Sequence, residues 1–255
     1  LHSDKIAFEH RRHKLIYNSP YINEVTIFVR QKTMKTVSQK TVARLSLYRR
    51  LLNELLAGKV EHVYSHQLAQ SAGVTAAQVR RDLMVVGYTG SPSRGYHVGE
   101  LIKAIRSFLD APTPQAIALV GVGNLGKAIL AYFAGRRPNL AILAAFDSNP
   151  DKTNRVIHGC RCYHIKDLAD VFARHDIRVA ILAVPAQGAQ EVADQVIRAG
   201  ARGLVNFAPV PLRVPPFVYV EDIDITTSLE KVAYFARIAG AAKETSPAAI
   251  PDLRA

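Results

Sequence analysis

The feature that most constrains this chain is a pair of apolar runs joined through a glycine-rich turn. Residues 116–120 lead into Gly121-Val122-Gly123-Asn124-Leu125-Gly126, a helical segment follows, and the run 140–146 ends in Asp147. In a turn of this spacing, Gly121 permits the tight exit from the strand and Gly123 lets the backbone approach a pyrophosphate. Gly126 permits close packing of helix on strand. The helix N-terminus, with its unpaired amides, faces the phosphates. Asp147 falls 21 residues after Gly126, where a carboxylate accepts from a ribose 2′-hydroxyl. A carboxylate there also repels a 2′-phosphate, so the pattern predicts NAD(H) over NADP(H).

A chain of 255 residues has material for one or two domains. It has neither 18 consecutive apolar residues nor a secretory pattern at its start, so the expectation is a cytoplasmic protein without a membrane partner. The net charge of +12 is unevenly placed, with +9 on residues 1–98 and +3 on residues 99–255. Basic charge gathered in one part is the footprint of a polyanion partner. The two cysteines, Cys160 and Cys162, are too few for a disulfide framework. They are expected to be structural and to point to opposite faces of a strand. With His158 and His164 they do not make zinc-like spacing, so no metal is expected.

Residues 1–36 have poor periodicity and are expected to form a poorly ordered extension. From Ser38 to Leu56 the pattern is helical, with Val42, Leu45, Tyr48, Leu52 and Leu55 at threes and fours, and Gly58 as a stop. Ser65 is expected to cap a short helix over 65–71. Thr75 opens another, with Thr75 and Gln78 as a capping box. Helix, glycine-containing turn, helix is the DNA-binding helix-turn-helix, whose second helix enters the major groove. Val79 and Leu83 face inward on it. Thr75, Ala76, Gln78 and Arg81 face outward, with Arg80 near the flank. Gln can read adenine, and Arg can read guanine or hold phosphate. Residues 88–98 read as a strand-turn-strand wing, with Arg94 near its tip and Tyr96 completing the DNA-contacting set. The winged helix thus spans 37–98.

Residues 99–115 read as a connecting helix and a Pro-rich link. Over 116–225 strands and helices alternate, which predicts a parallel sheet covered on both faces. The strand ends should line one crevice: Gly121 to Asn124, Asp147, Val184-Pro185 and Asn206-Phe207-Ala208. The last helix, 226–243, carries a wide apolar face of Leu229, Val232, Phe235 and Ile238. A second subunit is the expected cover for that face, and 244–255 read as a loose tail. No catalytic residue is expected. His164 and His175 fall in or beside a helix, and Tyr132 has no Lys at i+4.

Together these stretches resemble the Rex family of redox-sensing transcriptional repressors over roughly residues 37–243. The resemblance rests on Arg44-Leu-Ser-Leu-Tyr-Arg-Arg50, on Val74-Thr-Ala-Ala-Gln-Val-Arg-Arg-Asp-Leu83 and on the glycine-rich loop. It rests also on Phe146-Asp147 with Pro150-Asp151-Lys152, on Ala183-Val184-Pro185, and on the segment from Asn206 to Val210. The resemblance implies an α/β protein: a winged helix-turn-helix plus a Rossmann-like domain, with the C-terminal helix exchanged in a homodimer. It implies operator DNA bound when NADH is low and released when NADH binds. Asp147, with Lys152 in the same cofactor set, would hold the adenosine ribose. Tyr132, Val184, Pro185, Asn206, Phe207 and Ala208 would line the crevice, and Arg50 would pair with Asp224 to couple the domains. The chain departs from the family at Ser91-Pro92-Ser93-Arg94, where relatives often have basic residues, and at Ile225, where they can have an aromatic. Two other readings stay open: a NAD-dependent oxidoreductase with an appended DNA-binding module, and a repressor whose ligand is coenzyme A.

Overall fold

The computed structural model describes residues 37–135 and 140–244, with side chains to 238. The extension expected over 1–36, and the tail beyond 244, lie outside the described residues.

The first helix, α1 (Gln39–Ala57), starts where Ser38 Oγ accepts from the Thr41 amide at 3.1 Å. Its periodic face buries Leu45, Tyr48 and Leu52 completely. A two-residue strand, β1 (His62–Val63), precedes α2 (Ser65–Ala72) and α3 (Ala76–Val85). Ser65 is the first residue of α2 rather than its cap. The cap position is Tyr64, whose amide donates to Gln67 Oε1 at 2.8 Å. Gly73, at φ +66°, makes the left-handed exit that turns the chain into α3.

The wing is smaller than expected. Only Tyr96–His97 (β2) is a strand, and its antiparallel partner is β1, not the arm at 88–90. The turn closes through paired amide–carbonyl bonds between Ser91 and Gly95. The helix α4 (Val98–Leu109), read as a connector, lays Val98, Leu101, Ile102 and Ile105 into the same core as α1–α3.

Seven further strands form one sheet: β3 (Gln115–Val120), β4 (Leu140–Asp147), β5 (Arg155–Ile157), β6 (Cys160–His164), β7 (Val179–Leu182), β8 (Gly203–Asn206) and β9 (Tyr219–Asp222). Their order is β5-β6-β4-β3-β7-β8-β9, and every pair is parallel except the β5–β6 hairpin. The chain runs outward from β3 to β6, then crosses back to β7 on the other side of β3. That reversal is the topological switch point at which such sheets bind ligands. Three helices connect the strands: α5 (Asn124–Phe133), α6 (Leu168–His175) and α7 (Ala186–Arg198).

The two faces of the sheet are not equally covered. α6 and α7 pack Leu168, Phe172, Ala193 and Val196 against one face. On the other, α5 contributes Ile129 and Leu130, while Val179 and Val205 stay half-buried and Tyr219 is exposed. The expectation of cover on both faces is therefore met fully on one and in part on the other. The last helix, α8 (Ile225–Glu244), does not return to the sheet, and Leu229, Val232, Phe235 and Ile238 all stand exposed on it. Cys160 and Cys162 also correct the reading. Both are buried in the same cluster, because residues two apart on a strand share a face. They are free thiols, and burial pushes both above the usual range, Cys160 to about 11.

Candidate functional site

Two places carry the chemistry. The first is the exposed side of α3 and the wing. Thr75 Oγ1 accepts from the Gln78 amide at 3.1 Å, which caps the helix as expected. The return arm of the capping box is not formed. Gln78 Nε2 instead donates to Asp82 Oδ1 at 2.9 Å, and its Oε1 accepts from Arg81 at 2.9 Å. The return arm would need Gln78 Oε1 to accept from the Thr75 amide, and the charged Arg81 guanidinium is a stronger donor than that neutral amide. Val79 and Leu83 are buried as read. Ala76, expected outside, is half-buried against the core, and Ala77 takes the exposed position. Arg80, held at 3.2 Å to Ser65 Oγ, remains exposed, as do Arg81 and Met84. Arg94 is exposed in the wing turn. Tyr96 is not. Its ring packs on the core beneath Gly90, where a Cβ would come within 2.6 Å of it, so it shapes the wing from inside. The Tyr64 hydroxyl ties the wing to α2 by donating to Ser93 O at 2.8 Å.

Sequence reasoning missed the anchor beneath this surface. Asp82, only 2 % exposed, accepts from Arg44 Nε at 2.6 Å and Nη2 at 2.8 Å, and from the Tyr48 hydroxyl at 3.0 Å. Burial alone would raise its carboxyl, but Arg44, Gln78 and Tyr48 together hold it below the usual range. The signal was available. Asp82 sits beside Leu83 on the inward face of a basic helix, and Arg44 and Tyr48 are an i, i+4 pair on α1.

The second place is the crevice at the carboxyl ends of β3, β4, β7 and β8. Its register is tight: Val120 pairs with Phe146 and Leu182, and Leu182 with Asn206. Gly121, at φ +95°, lies so close to β7 that a Cβ would meet Ala183 O at 2.3 Å. Gly126 seats α5 on the loop, since its Cβ would lie 2.0 Å from Gly121 O. A Cβ on Gly123 would meet nothing within 4 Å. The loop is thus closed where it supports itself and open where a pyrophosphate would pass. No side chain caps α5 or α7, so their first amides are left to the crevice. Asn124 and Leu125 are exposed at this mouth, and Val122 is buried beneath it.

Asp147 closes one end. Its Oδ2 accepts from the Val122 amide at 2.9 Å and from Lys152 Nζ at 3.0 Å, and its Oδ1 from the Asn149 amide at 2.9 Å. Burial would raise this carboxyl, but the Asn149 and Val122 amides and Lys152 hold it low. Val184 lies at the other end, its Cγ1 3.0 Å from the position of a Gly121 Cβ, with Pro185 exposed beside it. Phe207 is half-buried there and Ala208 buried.

Two further residues are expected in the crevice. Asn206 is buried, and its side chain is spent on Val210 O, Asp222 Oδ1 and the Ala208 amide at 2.8–3.0 Å. Its side chain positions the Phe207–Ala208 turn at the crevice. Tyr132 is on the last turn of α5, about 12 Å of helix rise from Asn124, and is 59 % exposed. That spacing carries it away from the glycine-rich end.

Arg50 and Asp224 do not meet within one chain. Asp224 caps α8 by accepting from the Thr227 amide at 2.9 Å. Among the described residues the ion pairs are Arg44–Asp82, Arg49–Asp110, Lys152–Asp147 and Arg178–Asp176. Among them, too, no group of three or more His, Cys, Asp or Glu could hold a metal. No helix there is long and apolar enough to cross a membrane.

Known proteins are similar to this chain in both regions. Residues 36–83 match the family described as "Putative DNA-binding protein N-terminus", and residues 113–210 match the CoA binding domain family. The redox-sensing transcriptional repressor Rex of Syntrophobacter fumaroxidans is 39% identical over 199 residues, covering 78% of this chain and 95% of its own. The Rex protein of Roseiflexus sp. is 40% identical, covering 81% and 94%. Among solved structures, the Rex-family repressor RSP in complex with β-NAD+ and operator DNA superposes with a TM-score of 0.75 at 33% identity. It covers 83% of this chain and 97% of that one. The same repressor in complex with β-NADH gives 0.73 at 32%, covering 84% and 100%. This chain belongs to the Rex family of redox-sensing transcriptional repressors.

Proposed function

We propose that this chain is a DNA-binding transcriptional repressor whose hold on its operator is set by the NADH/NAD+ ratio. The observation that carries this is the pairing, in one Rex-family chain, of a capped, arginine-bearing recognition helix with a crevice built for a dinucleotide. The protein is a regulator, not an enzyme. The crevice fits an adenine dinucleotide on three counts: Gly123 leaves space for a pyrophosphate, α5 presents uncapped amides to it, and Asp147 stands at the ribose end. These contacts are common to NADH and NAD+, so they supply affinity without switching. Switching needs a ligand that binds one state of the protein better than the other. The neutral dihydronicotinamide ring can enter an apolar pocket, whereas burying the charged ring of NAD+ is costly.

The working unit in this reading is a homodimer in the cytoplasm. An apolar helix left bare and a sheet face left half-covered are complementary features of one chain, and exchange of α8 between two copies would cover both. Exchange would also carry Asp224 to the partner, giving it the opportunity to meet an Arg50. Closure around NADH would then turn the two recognition helices out of the spacing of about 34–36 Å that successive major grooves require.

Binding calorimetry decides the ligand. NADH should bind and coenzyme A should not, and the reverse order would replace this reading with a coenzyme A-responsive repressor. Steady turnover of NADH with a carbonyl substrate would instead support the oxidoreductase alternative.

A further inference from the structure

The grip on Asp147 has a consequence for cofactor choice. Three donors converge on this one carboxylate: the Val122 and Asn149 amides and Lys152 Nζ, all within 3.0 Å. Two of them are backbone groups, so substitution of Asp147 does not remove them. The turn that carries Asn149 and Lys152 also supports itself. The Asp151 amide donates to Asn149 Oδ1 at 2.8 Å, the Lys152 amide to Asn149 O at 3.1 Å, and the Thr153 amide to Pro150 O at 3.2 Å. A cation and two amides gathered around one carboxylate, two on Oδ2 and one on Oδ1, are an anion site.

We propose that Asp147 is the built-in occupant of this anion site, and that Lys152 is the residue that would otherwise bind the 2′-phosphate of NADP(H). Exclusion of NADP(H) then has two parts. The carboxylate repels the phosphate, and it also holds the donors a phosphate would need. Lys152 neutralises part of the repulsion and makes occupancy the larger part. The inference deepens the nicotinamide reading above and rests on it.

The test compares four full-length proteins: wild type, Asp147→Ala, Lys152→Met and the double variant. NADH and NADPH affinities are measured for each by calorimetry at two salt concentrations. Asp147→Ala is expected to bind NADPH at least about tenfold more tightly than wild type does, with the gain shrinking at high salt. The double variant is expected to lose that gain. Should Asp147→Ala not fold cooperatively, Asp147→Asn takes its place. It removes the charge while keeping an acceptor for Val122, and a smaller gain, again lost with Lys152→Met, is expected. No gain in a folded variant, or a gain that survives Lys152→Met, overturns the proposal. Failure of the wild type to bind either nucleotide would sink the nicotinamide reading itself and this inference with it, and it would be visible before any variant is made.

Discussion

Two carboxylates in this chain, one buried and one half-buried, are gripped in similar ways and serve different ends. Asp82 in the winged helix and Asp147 in the crevice each accept from several donors, and each is held below the usual carboxylate range. The donors differ. Those on Asp82 are side chains, Arg44, Tyr48 and Gln78, drawn from α1 and α3, so the network fastens one helix to another. Two of those on Asp147 are backbone amides of a loop and a turn, and the third, Lys152, is partly exposed. A carboxylate tied by side chains inside a core serves the fold. One tied by backbone at the mouth of a crevice can be exchanged for a ligand group without unfolding its surroundings.

The largest expected effect follows from that contrast. Asp82→Ala leaves Arg44 and the buried Tyr48 hydroxyl without their partner and should destabilise the winged helix by about 1–3 kcal/mol. Denaturant unfolding followed by circular dichroism would read the loss, and operator binding should fall while NADH affinity is kept. A change below about 1 kcal/mol would mean that Asp82 is no anchor. Next comes a pair of glycines in the crevice. Gly126→Ala forces a Cβ into Gly121 O and should cost about 1–3 kcal/mol of stability. Gly123→Ala meets open space, so it should leave the melting temperature alone and weaken NADH binding instead. Equal effects on stability would erase the distinction between the two positions.

Acid should separate the regions less sharply. Both aspartates have folded-state values below their unfolded ones. The stability they add is therefore complete above the ordinary carboxylate range near pH 4 and is lost as pH falls through the depressed values. Asp82→Asn should flatten this acid limb more than Asp147→Asn does. The smallest structural change, Arg50→Ala, should weaken operator binding and leave NADH affinity intact. Parallel loss of both would indicate damage to the fold rather than to coupling.

Much of this was legible in the residues. The helix-turn-helix follows from apolar spacing and the Thr75 cap, and the dinucleotide crevice from the glycine spacing and Asp147. Both signals are local, carried by neighbours along the chain. What escaped depends on contacts between distant segments. Arg44 and Asp82 are 38 residues apart; each helix shows a polar group placed to face inward, but neither shows which group it meets. The wing was mispaired because β1 is only two residues long, too short to give an alternating pattern. The crevice role of Tyr132 rests on family resemblance alone, since its place on the last turn of α5 is not a position that glycine spacing singles out. The bonds that hold Asn206 were not legible, because its partners at 210 and 222 come from later in the chain.

The central claim is that one chain couples nucleotide redox state to DNA. It is tested most directly by operator binding at a fixed total nucleotide concentration while the NADH fraction is raised. The full-length protein is expected to hold operator DNA in NAD+ and to release it progressively as NADH replaces NAD+. Operator affinity that stays constant across the whole range of ratios, with NADH bound, would contradict it.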